Sequence, residues 1–166
     1  MQRYTSADLL STIRNAHSDN DAKTSCIIAE QGITYAELEK MSDIIAKHIT
    51  RKLASLGLTD PSSTVRIGVN MERTINLQPA IYAIVKTGCS YVPIDATIPE
   101  ERRSFIASDA SIALTLTDDI IDGFLASGDA DCEILHYNQP EAYVIYTSGT
   151  TGRPKGVPIG YSSLYH

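Results

Sequence analysis

A chain of 166 residues, 43% hydrophobic and 20% charged, has the composition of one ordinary globular domain and not of a disordered segment. A net charge of −6 gives no electrostatic reason to expect nucleic acid or an anionic membrane as partner. Cys26, Cys89 and Cys132 stand far apart with no CxxC pair, which excludes a compact zinc site and favours reduced thiols. With no signal-peptide core at the start and no apolar run near the ~20 residues of a membrane helix, the expected location is cytoplasmic.

In chain order, Thr5 and Asp8 have capping-box spacing, so a first helix is expected from there to about His17. Leu9, Leu10, Ile13 and Ala16 would share its inner face. After a polar stretch, Cys26–Ala29 reads as a strand and Gln31-Gly32 as a turn. Thr34 and Glu37 then form a second capping box, opening a helix with Leu38, Met41, Ile45, Ile49, Leu53 and Leu56 at helical spacing. Gly57 is its expected stop.

Val65–Val69 is a short apolar strand, followed by a helix over about Ile75 to Lys86 with Pro79 near its first turn and Gly88 at its end. Ser90–Asp95 is the next extended piece. Thr97 to Glu100 repeats the capping-box spacing and opens another helix. Ile112–Thr117 and Cys132–His136 read as strands, with a short helix around Ile120 to Leu125 between them, and Tyr143–Tyr146 as a last strand. This alternation argues for an α/β layer with a largely parallel sheet flanked by helices. The lone histidines His17, His48, His136 and His166 have no ligand spacing, and His48 is expected to pack on the apolar side of the second helix. The adjacent acids Glu100-Glu101 and Asp118-Asp119 read as helix-end or solvated charges.

The segment with chemistry in it is Tyr146-Thr147-Ser148-Gly149-Thr150-Thr151-Gly152-Arg153-Pro154-Lys155-Gly156, directly after an apolar strand. Glycines let backbone amides approach a polyanion, and consecutive amides can form an anion nest. Hydroxyls donate further hydrogen bonds, and Lys155 supplies a point charge suited to phosphate. The run is not a Walker A loop: five residues after Gly149 stands Pro154, and Gly156 follows Lys155. No GxGxxG occurs, so nothing local supports a dinucleotide. Taken alone, the run also suits a flexible hairpin loop with solvent-facing hydroxyls.

Tyr146 to Gly156 resembles the phosphate-loop signature of the adenylate-forming superfamily, which includes peptide-synthetase adenylation domains, acyl-CoA synthetases and luciferases. Ile33-Thr34-Tyr35-Ala36-Glu37-Leu38 and Val85-Lys86-Thr87-Gly88-Cys89-Ser90-Tyr91-Val92-Pro93-Ile94-Asp95 resemble the first and second core motifs of amino-acid adenylation domains, in the family's order. Two positions depart from the pattern: Ala96 stands where proline is usual, and Tyr161 where many relatives carry histidine.

The resemblance implies that residues 1–166 are the N-terminal part of an adenylation domain, ending just after the phosphate-binding loop. It implies ATP phosphates held by Thr147, Ser148, Gly149, Thr150, Thr151, Gly152 and Lys155, with Mg²⁺ sharing their charge. It implies an amino acid or other small carboxylic acid as substrate, and a carrier protein's phosphopantetheine thiol as acceptor. The rest of the adenylation domain would be a further partner, with the fragment inactive alone. A stand-alone D-alanine–carrier ligase, an acyl-CoA synthetase and a non-catalytic nucleotide- or partner-binding module are the alternatives.

Overall fold

The computed structural model describes residues 4–17, 22–28, 31–148 and 153–164. Helix α1 spans Ser6–His17. The Asp8 carboxylate accepts from the Thr5 backbone N–H at 2.7 Å, as the capping-box spacing requires. Strands β1 (Thr24–Ile28) and β2 (Gln31–Thr34) pair antiparallel, so the expected turn at Gln31-Gly32 is instead the start of a strand. Helix α2, Tyr35–Ser55, opens with a complete capping box: Glu37 donates its N–H to Thr34 and its carboxylate returns to the Thr34 backbone.

A second sheet holds β3 (Arg66–Val69), β4 (Ser90–Pro93), β5 (Ile112–Leu116), β6 (Glu141–Ser148) and β7 (Pro154–Gly160), in the order β5-β3-β4-β6-β7. The first four run parallel, and β7 pairs antiparallel with β6 at the edge. Helices α3 (Leu77–Thr87), α4 (Glu100–Asp109) and α5 (Asp118–Ser127) connect them, and α6 (Tyr161–Leu164) follows β7.

Crossover handedness assigns each helix a face. The steps β3 to β4 and β5 to β6 cross the sheet one way, and β4 to β5 crosses back. Right-handed connections therefore put α3 and α5 on one face and α4 on the other. The packing agrees. Ile45, Ile49 and Leu53 of α2 join Ile67, Ala83, Ile84, Leu116 and Ile121 in one core, while Ile106 of α4 packs with Val92, Ile94 and Val144 on the opposite face. Each fully buried aliphatic side chain contributes roughly 1.5–3 kcal/mol.

Three further sequence expectations change. Cys132–His136 is not a strand: its apolar residues lie along α2 with other hydrogen-bond partners. Leu135 N–H donates to Thr50 Oγ1 at 3.2 Å, and Tyr137 N–H to the Thr87 carbonyl at 2.8 Å. Thr97 does not cap α4, whose N-cap is Pro99 without a side-chain bond. Its hydroxyl and N–H are both taken by Asp95 Oδ1, at 2.7 and 2.8 Å. Leu56 caps α2 and is 57% exposed instead of joining the buried stripe.

His48 packs as expected: it is buried, stacks on Phe124 at 4.6 Å between centroids, and lies 2.9 Å from the Gly128 carbonyl. Glu100-Glu101 and Asp118-Asp119 fall in the first turns of α4 and α5. Asp118 also accepts from the Glu72 N–H at 3.0 Å and the Thr74 hydroxyl at 3.1 Å.

Candidate phosphate-binding site

The parallel strands β3, β4, β5 and β6 end at Val69, Pro93, Leu116 and Ser148. In such sheets ligands bind outside the carboxyl ends, where neighbouring connections leave for opposite faces. Strands β3 and β4 are such neighbours, since α3 and α4 lie on opposite faces. Strand β6 stands next to β4 with Tyr143 level with Tyr91. Counting on, Pro93 is level with Ile145, so Tyr146-Thr147-Ser148 extends past the carboxyl edge of β4.

That extension is held by β7, in which Lys155 is the cross-strand partner of Thr147 and Pro154 of Ser148. Directly opposed residues share a face of the ladder. Thr147 and Lys155 therefore project from the same face of the ribbon, and both residues are exposed. Among the described residues no carboxylate pairs with Lys155. A cation and a hydroxyl donor, open to solvent at a sheet's carboxyl edge, can meet a phosphate. Gly149, Thr150, Thr151 and Gly152 of the sequence-predicted set lie outside the described residues, as does the side chain of Ser148.

The base of this ribbon is anchored from below. Arg66 makes a two-pronged bond to Glu141 at the start of β6, with Nε to Oε1 at 2.7 Å and Nη2 to Oε2 at 2.9 Å. Its Nη1 donates to the Ala110 carbonyl at the end of α4, at 3.2 Å. Burial pushes the Glu141 carboxyl up, but hydrogen bonds from Arg66 and Ser90 outweigh it and hold the group below the ordinary carboxylate range. Higher in β6, the Tyr146 hydroxyl donates to Asp109 Oδ2 at 2.6 Å. Burial, and then the Asp109 carboxylate, raise the Tyr146 phenol well above its usual value, so it remains a donor.

Gly156 has its own reason to be glycine. It is the cross-strand partner of Tyr146, and a Cβ there would stand 3.0 Å from the tyrosine ring carbon Cζ. Its role is close approach to a ring, not the positive φ that a phosphate nest would ask of a glycine. Asp109, which completes this arrangement, carried no sequence signal: it is an exposed helix-end acid 37 residues from Tyr146.

Two other features contribute differently. A groove of about 520 Å³ among α1, α3 and β6 is lined by residues such as Leu9, Ile13, Leu77, Ile81, Tyr143 and Leu164. It carries no charged side chain, so it offers nothing to a polyphosphate. Tyr161 is fully buried in the cluster around Leu10, Leu38 and Tyr82, which gives it a packing role. Among the described residues no group of three His, Cys, Asp or Glu is arranged to hold a metal ion, and no helix is long and apolar enough to cross a membrane.

A mostly parallel sheet with helices on both faces carries an exposed threonine and lysine, cross-strand partners, at its carboxyl edge. The AMP-binding enzyme family matches residues 14–139, and the chain belongs to that family. It is 32% identical over 155 residues to bacitracin synthase 2 of Bacillus licheniformis, covering 84% of this chain and 6% of that protein. It is 34% identical over 152 residues to tyrocidine synthase 3 of Brevibacillus parabrevis, covering 82% of this chain and 2% of that protein.

Among solved structures, the Klebsiella oxytoca NpsA N-terminal subdomain in complex with 3-hydroxyanthranilyl-AMSN aligns with a TM-score of 0.70 at 22% identity, covering 96% of this chain and 41% of that one. O-succinylbenzoate coenzyme A synthetase from Bacillus subtilis, in complex with AMP, aligns at 0.75 and 22%, covering 92% and 42%. These two show the fold, and the chain spans well under half of each. The fold is therefore that of part of the N-terminal subdomain of adenylate-forming enzymes.

Proposed function

We propose that residues 1–166 form the phosphate-binding front of an adenylation domain that activates an amino acid or another small carboxylic acid with ATP. The observation that carries this reading is the Thr147–Lys155 pair, exposed on the extension of β6 past the sheet's carboxyl edge. Identity of 32% to bacitracin synthase 2 and 34% to tyrocidine synthase 3 supports a carrier-bound thiol as acceptor over coenzyme A.

In the reaction a carboxylate oxygen attacks the α-phosphorus of ATP. The bond from that phosphorus to the bridging oxygen breaks, pyrophosphate leaves, and an acyl-adenylate remains. A thiol then takes the acyl group and releases AMP. Lys155 meets the charge that builds on the departing phosphates, and Thr147, Ser148, Gly149, Thr150, Thr151 and Gly152 offer hydroxyl and amide donors around it. This is positioning plus electrostatic stabilisation of an in-line displacement. Mg²⁺ would share the phosphate charge. The described residues bring no metal-binding cluster to it, so this part of the protein acts through Lys155 and its donors.

The test is exchange of labelled pyrophosphate into ATP, dependent on added amino or carboxylic acid, in the complete protein carrying this chain. Exchange with one acid of a panel supports the reading, and exchange with none overturns it. Residues 1–166 alone are expected to give no exchange, and robust exchange by that fragment would contradict its being only the front of the machinery.

A further inference from the structure

The proposed phosphate-binding residues sit on the end of a two-stranded ribbon, and an exposed two-stranded ribbon is marginally ordered on its own. Something must fix where Thr147 and Lys155 point. On the face opposite Thr147 and Lys155, helix α4 packs Phe105 and Ile106 against Val144 and Tyr146.

The C-terminal end of α4 is tied to β6 at two heights. Low on the strand, Arg66 bridges Glu141 to the Ala110 carbonyl. High on the strand, Tyr146 reaches Asp109 at 2.6 Å, one residue before Thr147. The Tyr146 ring crosses to the partner strand, where a Cβ at Gly156 would press tightly on it, at 3.0 Å to Cζ and 3.1 Å to the hydroxyl oxygen. Gly156 adjoins Lys155. One ring thus touches both strands immediately behind the pair that faces the ligand, and its hydroxyl is fastened to a helix outside the ribbon. A phenol donating to an ionised carboxylate is among the stronger hydrogen bonds available to neutral donors.

We propose that Tyr146 and Asp109 form a positioning strut that aims the Thr147–Lys155 end of the ribbon, with Gly156 as the seat of the tyrosine ring. This rests on the reading that Thr147 and Lys155 meet the phosphates of ATP. Neither Tyr146 nor Asp109 touches the ligand: they act through the strands they hold.

The test uses pyrophosphate exchange in the complete protein, with kcat and KM measured separately for ATP and for the acid. Tyr146→Phe keeps the ring and removes only the donor; Asp109→Ala removes the acceptor at an exposed position. Each should lower kcat/KM for ATP by about 5- to 30-fold, less than the full worth of a charge-assisted bond because this one is exposed, and leave KM for the acid unchanged. The double variant should be no worse than either single one. Asp109→Asn, which keeps an oxygen to accept the phenol proton, should recover most of the loss. Unchanged ATP parameters, equal losses for ATP and acid, or multiplying effects in the double variant would each overturn the strut. Lys155→Ala in the same assay separates the two layers. A loss there with a silent Tyr146→Phe removes the strut alone, whereas silence in both removes the phosphate reading with it.

Discussion

The helix layer of α2, α3 and α5 and the β6–β7 ribbon are built by opposite rules. In the layer one cation is buried and fully committed: Lys86 is 3% exposed in its side chain and bonded to Glu39 and Asp43, each at 2.6 Å. Tyr82 donates to the same Glu39 at 2.6 Å and offers its ring to Lys86 at 4.9 Å. At the end of the ribbon, Lys155 and Thr147 are exposed, and among the described residues no carboxylate is matched to the lysine. A buried cation must find its partners within the fold. An exposed one can keep its bonding capacity for a ligand, which is why the Lys86 motif reads as scaffold and the Lys155 motif as site.

Gly88→Ala breaks the scaffold side most severely. Gly88 closes α3 at φ 73°, and an added Cβ would stand 2.2 Å from the Tyr137 carbonyl oxygen. Left-handed strain plus a backbone collision should cost about 2–5 kcal/mol, read as a lower denaturant midpoint. Glu39→Gln comes next. It weakens the pairing of buried Lys86, and about 1–3 kcal/mol should be lost. Thr34→Ala removes the α2 cap and should cost about 1 kcal/mol. Thr147→Ala on the ribbon should move the midpoint by less than about 0.5 kcal/mol, because exposed substitutions of this kind touch little. A large loss there would mean that Thr147 belongs to the scaffold.

Acid should act on the helix layer through Glu39 and on the base of the ribbon through Glu141. For both Glu39 and Glu141, burial raises the carboxyl. Hydrogen bonds outweigh it, chiefly from Lys86 and Tyr82 to Glu39 and from Arg66 to Glu141, and hold both below the usual range. A carboxylate depressed in the folded state stabilises above its unfolded value, and that contribution disappears as pH falls through the folded one. The unfolding midpoint should therefore decline from about pH 5 downward. Glu141→Gln should flatten part of that slope, and an unchanged slope would show that the Arg66 bond contributes nothing.

The same contrast explains what the amino-acid sequence disclosed. Helix α2 was legible from end to end because capping box, periodicity and stop residue are all local. Strand β7 was not: Gly156, Pro158 and Gly160 argue against a strand, and Pro158 is tolerated because, among the described residues, β7 is an edge strand with only β6 for a neighbour. Cys132–His136 carries strand-like residues, but the Leu135 amide finds its partner in Thr50, 85 positions earlier, which leaves no local mark. At the proposed site, Thr147 and Lys155 stood out as part of a hydroxyl, glycine and lysine run. Their cross-strand pairing and the Tyr146–Asp109 tie were not, because both depend on how distant segments meet.

The most direct measurement of the central claim compares Lys155→Ala with Arg153→Ala in the complete protein, by adenylation rate at saturating ATP. Lys155 is cross-strand to Thr147 on the ribbon, while Arg153 is exposed and precedes β7. If Lys155 meets the phosphates as pyrophosphate departs, its loss should slow adenylation by roughly 10- to 150-fold, the worth of one charge-assisted contact of 1.5–3 kcal/mol. Arg153→Ala should cost far less. Equal losses in the two variants, or an unchanged rate in Lys155→Ala, would contradict the assignment of this ribbon to ATP.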